Sequence, residues 1–155
     1  MPALRGIVGL VPAWGTGSFE NDAASDWFYV VEEAVDPGLV IVSTLDDALA
    51  EAGYLELDAA CAAVAAAELS ASCAGEVADD LPDHVRRWVS EHPHRPHADE
   101  VEHAVQAVER VRTESELREL WDEESGPDNV WLRAVDDLVA RLRRSGTDVP
   151  AALRP

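Results

Sequence analysis

The sequence predicts a single all-α domain, a bundle of six or seven short to medium helices. Apolar residues recur with the 3.6-residue period of a helix along nearly the whole chain, and short connections separate these segments. The chain has 155 residues, 47% of them hydrophobic, with five tryptophans. This length and composition suit a single domain with a hydrophobic core. We expect the helical domain at 13–146, an N-terminal extension at 1–12 and a C-terminal tail at 147–155, with no internal repeat.

The first helix follows a glycine-containing loop and carries its apolar residues at helical spacing. These residues are Ala23, Trp27, Val30, Val31 and Ala34. The Asp-Pro-Gly sequence at 36–38 ends this helix. The β-branched run at 39–42 could form a short strand, but Ser43 or Thr44 is placed to cap a helix that closes at Gly53, which favours helix.

An alanine-rich segment at 55–75 predicts a long helix, with Gly75 as its stop. A short helix then follows Pro82 and ends before Pro93. The next segment, His-Pro-His-Arg-Pro-His-Ala-Asp at 92–99, has the composition of a linker.

Three further helices complete the bundle. Asp99 is placed to cap the first of them, and Thr113 with Glu116 forms a capping box for the second. The Ser-Gly-Pro-Asp-Asn-Val sequence at 125–130 breaks that helix. The last helix closes near Gly146 and turns inward the residues Trp131, Ala134, Val135, Leu138 and Leu142.

The chain is strongly acidic, and the charge is unevenly distributed. It has 31 acidic residues and 12 basic ones, for a net charge of −19, and every basic residue is an arginine. Residues 1–80 hold 15 acids and one base, for −14, and residues 81–155 hold 16 acids and 11 bases, for −5. Such a field repels nucleic acids and anionic lipids and attracts basic proteins or cations. We expect no direct nucleic-acid binding and no membrane partner; the acidic surface could serve solubility alone or a basic protein partner.

Cysteine usage and hydropathy predict a cytoplasmic protein. No stretch approaches the ~20 apolar residues that span a bilayer, and Trp14 and acidic residues stand where a signal-peptide cleavage site should be. Cys61 and Cys73 fall on one predicted helix about 18 Å apart, whereas a disulfide needs Cα atoms within about 7 Å. We expect both to remain reduced and to pack as small hydrophobic residues.

The segment 13–27, AWGTGSFENDAASDW, stands out from the rest of the chain. Its glycines permit close backbone approach, and Ser18, Asn21 and Asp22 can each cap the helix that follows. We expect the aromatic residues of the segment, Trp14, Phe19 and Trp27, to pack on one another. The pattern therefore favours a structural helix start.

Two binding interpretations of this segment are weaker. A phosphate loop is disfavoured because the Gly15–Gly17 pair alone is a weak signal and the neighbouring carboxylates would repel an anion. A cation site lacks the alternating ligand spacing of a calcium loop, although its ligands would be the residues Glu20, Asn21, Asp22 and Asp26.

The motif W-G-x-G-x-F-E-N-D-x-A-x-D-W at 14–27 resembles the opening of the bacterial domain-of-unknown-function family 4259. The segments at 54–68, 115–124 and 130–143 are also similar to that family, so the resemblance covers nearly the whole chain beyond residue 13. The extension at 1–12 is longer than the usual start of the family. The resemblance implies a small helical bacterial domain and no established activity.

Glu68 is an unusual residue because it shares an apolar stripe of the alanine-rich helix, with Leu57, Cys61, Val64, Ala65 and Ser72. A buried carboxylate must find a partner or bind a proton. The favoured interpretation is a structural clamp that accepts a hydrogen bond from a tryptophan indole or from an arginine of the C-terminal half. The alternative is a general acid or base with a raised pKa, beside Asp22 or Asp26.

Histidines cluster around the linker, at His92, His94, His97 and His103. With a carboxylate they could bind zinc, and Glu100 with His103 matches half of a di-metal motif that has no second copy here. Exposed linker histidines are the commoner case, so we expect no metal and no cofactor.

No Ser-His-Asp, Cys-His or phosphate-loop arrangement is present in the sequence, which disfavours an enzyme. We expect a non-enzymatic binding or inhibitory protein whose acidic half docks on a basic protein partner. The alternative is a carboxylate- or metal-dependent, hydrolase-like enzyme built on the group Asn21, Asp22, Asp26 and Glu68. The candidate site residues are Trp14, Gly15, Gly17, Phe19, Asn21, Asp22, Asp26, Trp27 and Glu68.

Overall fold

The computed structural model describes residues 17–92, 94–125 and 129–147 of the chain. Over these ranges the protein is all-α, as predicted, and forms seven helices without a β-sheet. They are α1 (Asp22–Glu33), α2 (Pro37–Ala50), α3 (Leu57–Cys73), α4 (Asp83–Glu91), α5 (Ala98–Thr113), α6 (Glu116–Ser125) and α7 (Val130–Thr147). The predicted extension at 1–12, the residues Trp14 and Gly15, and the tail from 148 onward lie outside the described residues.

Helix α3 is the centre of the bundle and packs against α1, α2, α5 and α7. It is buried on nearly all sides, as expected of a helix that is apolar around its whole circumference. Most of its buried residues are small, which lets the neighbouring helices approach closely; the alanines are Ala60, Ala63, Ala65, Ala66, Ala67 and Ala71. Helix α5 forms a second layer and packs on α2 and α7 as well as on α3.

Helices α1 and α2 each begin at a side-chain cap. Asn21, one of three predicted candidates, accepts the Ala24 N–H at 2.8 Å, and Asp36 accepts the Leu39 N–H at 3.2 Å. The Asp-Pro-Gly sequence therefore starts α2, with proline in its first turn, because the fixed φ of proline suits that position. The prediction that Ser43 or Thr44 caps this helix is wrong.

The N-terminus of α3 is closed by the start of α6. The backbone N–H of Leu55 donates to Glu114 O at 3.0 Å, and the N–H of Glu116 donates to Leu55 O at 2.9 Å. The Glu116 carboxylate then accepts the N–H of Leu57 at 3.0 Å, the first residue of α3. Helix α3 thus receives its cap from a residue 59 positions later in the chain.

Two predicted caps were each misplaced by two residues. Helix α5 begins at Ala98, so Asp99 lies in its first turn instead of capping it. Ser115 caps α6, because its Oγ accepts the Arg118 N–H at 3.1 Å, while Thr113 is the last residue of α5. The predicted capping box of Thr113 and Glu116 is wrong because the Glu116 carboxylate is used by α3.

The buried face of α1 differs in part from the predicted one. The residues it buries are Ala24, Phe28 and Val31, whereas Val30, predicted to face inward, is 54% exposed. Phe28 fixes this orientation through edge-on contacts with Phe19 and Trp88, with ring centroids 5.5 and 5.8 Å apart. The aromatic side chain of Phe28 buries more apolar area than a valine does, so Phe28 occupies the inward position and Val30 faces solvent.

Both cysteines lie on α3 as free thiols, as predicted. Burial raises the pKa of Cys61 to about 12 and that of Cys73 to about 11, and nearby carboxylates add to both shifts. Both groups are therefore neutral and unreactive near pH 7. None of the helices in the described ranges combines the length and apolar character needed to cross a membrane.

Candidate functional site

Glu68 and Arg141 form a buried ion pair at the junction of α3 and α7. Arg141 Nη1 donates to Glu68 Oε2 at 2.6 Å, and Arg141 Nη2 donates to Glu68 Oε1 at 2.9 Å. The two side chains are only 3% and 8% exposed, respectively. This paired geometry is the strongest form of an arginine–carboxylate contact. The prediction that Glu68 is clamped by an arginine of the C-terminal half is confirmed.

Neighbouring groups complete the hydrogen bonding of the pair. Ser18 Oγ donates to Glu68 Oε1 at 3.0 Å and Ser72 Oγ approaches Oε2 at 3.5 Å. On the other side, Arg141 Nε donates to Asp137 Oδ2 at 2.8 Å, and Nη1 also donates to Glu76 O at 3.0 Å. The clamp therefore ties the loop before α1 and the loop after α3 to the last helix.

The electrostatics of the clamp keep Arg141 charged. Burial alone disfavours the guanidinium cation, but hydrogen bonds and charges from Glu68 and then Asp137 outweigh it and raise the pKa of Arg141 above its ordinary value. Both oxygens of Glu68 are occupied by donors. A carboxylate held in this way has no free position for taking up a substrate proton.

A surface cleft of about 420 Å³ opens beside the clamp. Its lining is Gly17, Ser18, Glu68, Ala78, Asp79, Asp80, Ala134, Asp137 and Arg141. Neither Asp22 nor Asp26 lines it; both are exposed on α1. Asn21 is engaged as the cap of α1. The structure therefore does not assemble the carboxylate group that the enzyme hypothesis required.

The other motif residues have structural contacts. Phe19 is buried against Phe28, and the backbone N–H of Gly17 donates to the carboxylate of Glu20 at 3.1 Å. The indole of Trp27 donates to Thr44 Oγ1 at 2.8 Å, which joins α1 to α2. These contacts agree with the interpretation of the segment as a helix start, but Phe19 packs on Phe28 and not on Trp27 as predicted.

A second buried carboxylate, Glu100, was missed by the sequence analysis. It accepts a hydrogen bond from Ser70 Oγ at 2.7 Å, and His94 Nε2 lies 2.9 and 3.1 Å from its two oxygens. This is not a catalytic triad, because the carboxylate lies between the serine and the histidine. The signal was available: Glu100 shares a helical stripe with the buried residues Ala104, Ala107 and Val111.

The other histidines around the linker have separate surroundings, and His97 is exposed. His92 stacks on Trp88 with ring centroids 4.6 Å apart, and His103 pairs with Asp46 at 3.2 Å on the surface. No group of three potential metal ligands converges among the described residues.

The outward side of α1 carries acidic and apolar residues together. We name this surface the α1 outer face; it consists of Asp22, Asp26, Tyr29, Val30 and Glu33, opposite the buried face of the helix. Tyr29 is 63% exposed and Val30 54% exposed. The sequence from 17 to 80 contains no arginine, lysine or histidine, although His84 and Arg87 of α4 line a surface cleft together with Tyr29 and Glu33.

Comparison with known proteins places the chain in a family. The family model described as domain of unknown function DUF4259 matches residues 12–134, well over half of the chain. The chain belongs to this family. No curated protein and no solved structure matches it.

The DUF4259 match covers six complete helices and the first residues of α7. It includes the capping residue Asn21 and the buried Glu68, but it stops before Asp137 and Arg141. The arginine half of the clamp therefore lies just beyond the matched residues.

Proposed function

We propose that this DUF4259 domain is a non-enzymatic, cytoplasmic binding or inhibitory protein whose α1 outer face docks on a basic protein partner. The observation that carries the proposal is the coexistence of exposed carboxylates and exposed large apolar side chains on this face. A surface that served only solubility would favour charged residues over exposed tyrosine and valine.

Charge complementarity supports a basic partner. Asp22, Asp26 and Glu33 are exposed, and the ion pairs between described residues include none of the three. An opposing surface of lysine or arginine would gain their attraction during encounter, which raises the association rate at low salt. The basic residues of this chain itself lie almost entirely beyond residue 80.

The exposed apolar residues of the α1 outer face supply binding energy that its charges alone do not. Carboxylates at the rim of an interface affect mainly encounter and specificity, whereas buried tyrosine side chains contribute much of the binding energy of protein interfaces. Tyr29 and Val30 lie among the carboxylates of the α1 outer face and are available for such burial. The free thiols of Cys61 and Cys73 are consistent with a reducing compartment.

The proposal is tested by capture of partners from the native host's lysate with three immobilised proteins, followed by mass spectrometry. They are the wild type, Asp26→Lys/Glu33→Lys on the α1 outer face, and the matched control Asp47→Lys/Glu51→Lys. The control residues are also exposed carboxylates of the acidic half, at the end of α2, and the charge change is identical.

We expect a basic protein to be retained by the wild type and the control at low salt, and to be released as salt screens the contact. The Asp26→Lys/Glu33→Lys variant should weaken binding of the purified partner by about tenfold or more in calorimetry. Equal loss in both variants would mean a non-specific charge effect and would refute the assigned face. Retention of no basic protein by the wild type would refute the function.

A further inference from the structure

His94 fastens residues 94–97, the described part of the chain just before α5, to the bundle. His94 Nε2 contacts both oxygens of Glu100, on α5, and Ser70 on α3 donates to the same carboxylate. The His94 ring also packs on the start of α2, since a Cβ at Gly38 would lie 3.0 Å from its Cε1 and Nδ1. The imidazole therefore joins the segment to α5 and α2 directly, and to α3 through the shared Glu100 carboxylate.

We propose that His94, Glu100 and Ser70 form a pH-sensitive clasp, which holds the 94–97 segment on the bundle while His94 is protonated and loosens when His94 loses its proton. The proposal rests on the burial of the carboxylate. The Glu100 side chain is 4% exposed, whereas His94 is 22% exposed and can reach water. A buried carboxylate that loses its cationic partner destabilises the folded state unless water can reach it.

The carboxylates around His94 favour its charged form, whereas its own burial opposes it. The hydrogen bond to Glu100 is the largest influence and raises the pKa of His94 above its ordinary value, burial opposes the shift, and the charges of Glu100 and Asp36 add to it. From α3 come the hydroxyl of Ser70 and the nearby thiol of Cys73, whose raised pKa keeps it neutral. The segment's own Arg95 and His97 are exposed.

The sign of the effect follows from linkage. Since the pKa of His94 is raised in the folded state, the clasp contributes its full stabilisation below the unfolded value of 6.5 and loses it as pH rises through the folded value. Each unit of elevation makes the folding equilibrium constant about tenfold larger at low pH than after deprotonation. Neutral His94 can still donate one hydrogen bond, so the clasp weakens without breaking outright.

An NMR titration, urea unfolding and hydrogen exchange, all on the full chain, test the clasp. The first is an NMR titration of the His94 imidazole in the wild type and in Glu100→Gln. The second is urea unfolding between pH 6 and pH 9 for the wild type, His94→Gln and the matched control His103→Gln. His103 also pairs with a carboxylate, but that pair is on the surface, with side chains 43% and 53% exposed.

We expect His94 in the wild type to titrate above 6.5 and to return towards that value in Glu100→Gln. The decline in stability from pH 6 to pH 9 should be smaller in His94→Gln than in the wild type and unchanged in His103→Gln. Hydrogen exchange at Val101, whose N–H donates to His97 O at 3.1 Å, should lose protection at high pH in the wild type. A wild-type His94 that titrates at or below 6.5 would overturn the proposal, as would His94→Gln with the pH dependence of the wild type.

Discussion

Replacing Arg141 by methionine is the most direct test of the clamp at the α3–α7 junction. The substitution removes the guanidinium and keeps most of the side-chain volume. It leaves the Glu68 carboxylate, whose side chain is 3% exposed, with hydrogen bonds from Ser18 and Ser72 but without a cation. The structure predicts a large loss of stability, because a buried charge without its partner is strongly unfavourable.

The size of the loss follows from the burial and geometry of the pair. Removing one member of a buried, hydrogen-bonded pair costs about 3–5 kcal/mol. For a chain of this length, 1 kcal/mol corresponds to about 2–4 °C in Tm, so Arg141→Met should melt roughly 6–20 °C lower than the wild type.

The assay is urea unfolding followed by helical circular dichroism, with Arg143→Met as the matched control. Arg143 is on the same helix, but its side chain is 64% exposed and it contacts Glu109 at 3.7 Å, so its replacement should cost at most about 1 kcal/mol. The double variant Glu68→Leu/Arg141→Met should recover much of the lost stability, since an apolar pair leaves no buried charge. Equal stability of Arg141→Met and Arg143→Met would refute the argument.

Two further predictions concern the start of α1 and the packing of α3. Asn21→Ala removes the acceptor for the Ala24 N–H and should lower stability by about 1 kcal/mol in urea unfolding, whereas Asn21→Asp keeps an acceptor and should be nearly neutral; equal losses in both would argue against the cap. Ala66→Leu inserts a side chain where the exposed fraction is 0% and should cost about 1–3 kcal/mol. The same change at the exposed Ala59 of α3 should be almost neutral by thermal unfolding, and a neutral Ala66→Leu would contradict the close packing described for α3.

The sequence predicted the features that depend on local spacing. Helical periodicity identified the class of fold, and the position of Glu68 on an apolar stripe identified a buried carboxylate that needs a partner. Eleven of the 12 arginines lie beyond residue 80, so an arginine of that half was a reasonable expectation for the partner, beside a tryptophan indole. Which arginine it was depends on a contact 73 positions away along the chain, and periodicity within one helix carries no information about that distance.

Errors arose where one residue could serve two elements. Pro37 ends one helix pattern and equally suits the first turn of the next, so the start of α2 was placed too late. Glu116 matched a capping box for its own helix, yet its carboxylate caps α3. The Glu100 cluster was missed because it depends on Ser70 and His94, which come from α3 and from the segment before α5. For Glu116 and Glu100 the deciding contacts are tertiary, whereas the start of α2 is decided by the local cap of Asp36.

The position of Arg141 has a practical consequence for anyone who shortens this protein. The matched family residues end at 134, within α7, and a fragment trimmed to that boundary would keep Glu68 while discarding its cation. Such a fragment would combine an incomplete terminal helix with an uncompensated charge in its interior. Misfolding of the fragment would then be caused by the truncation and would not show that the full domain is unstable. A fragment intended to behave as an autonomous unit has to extend at least through the Arg141 turn of α7.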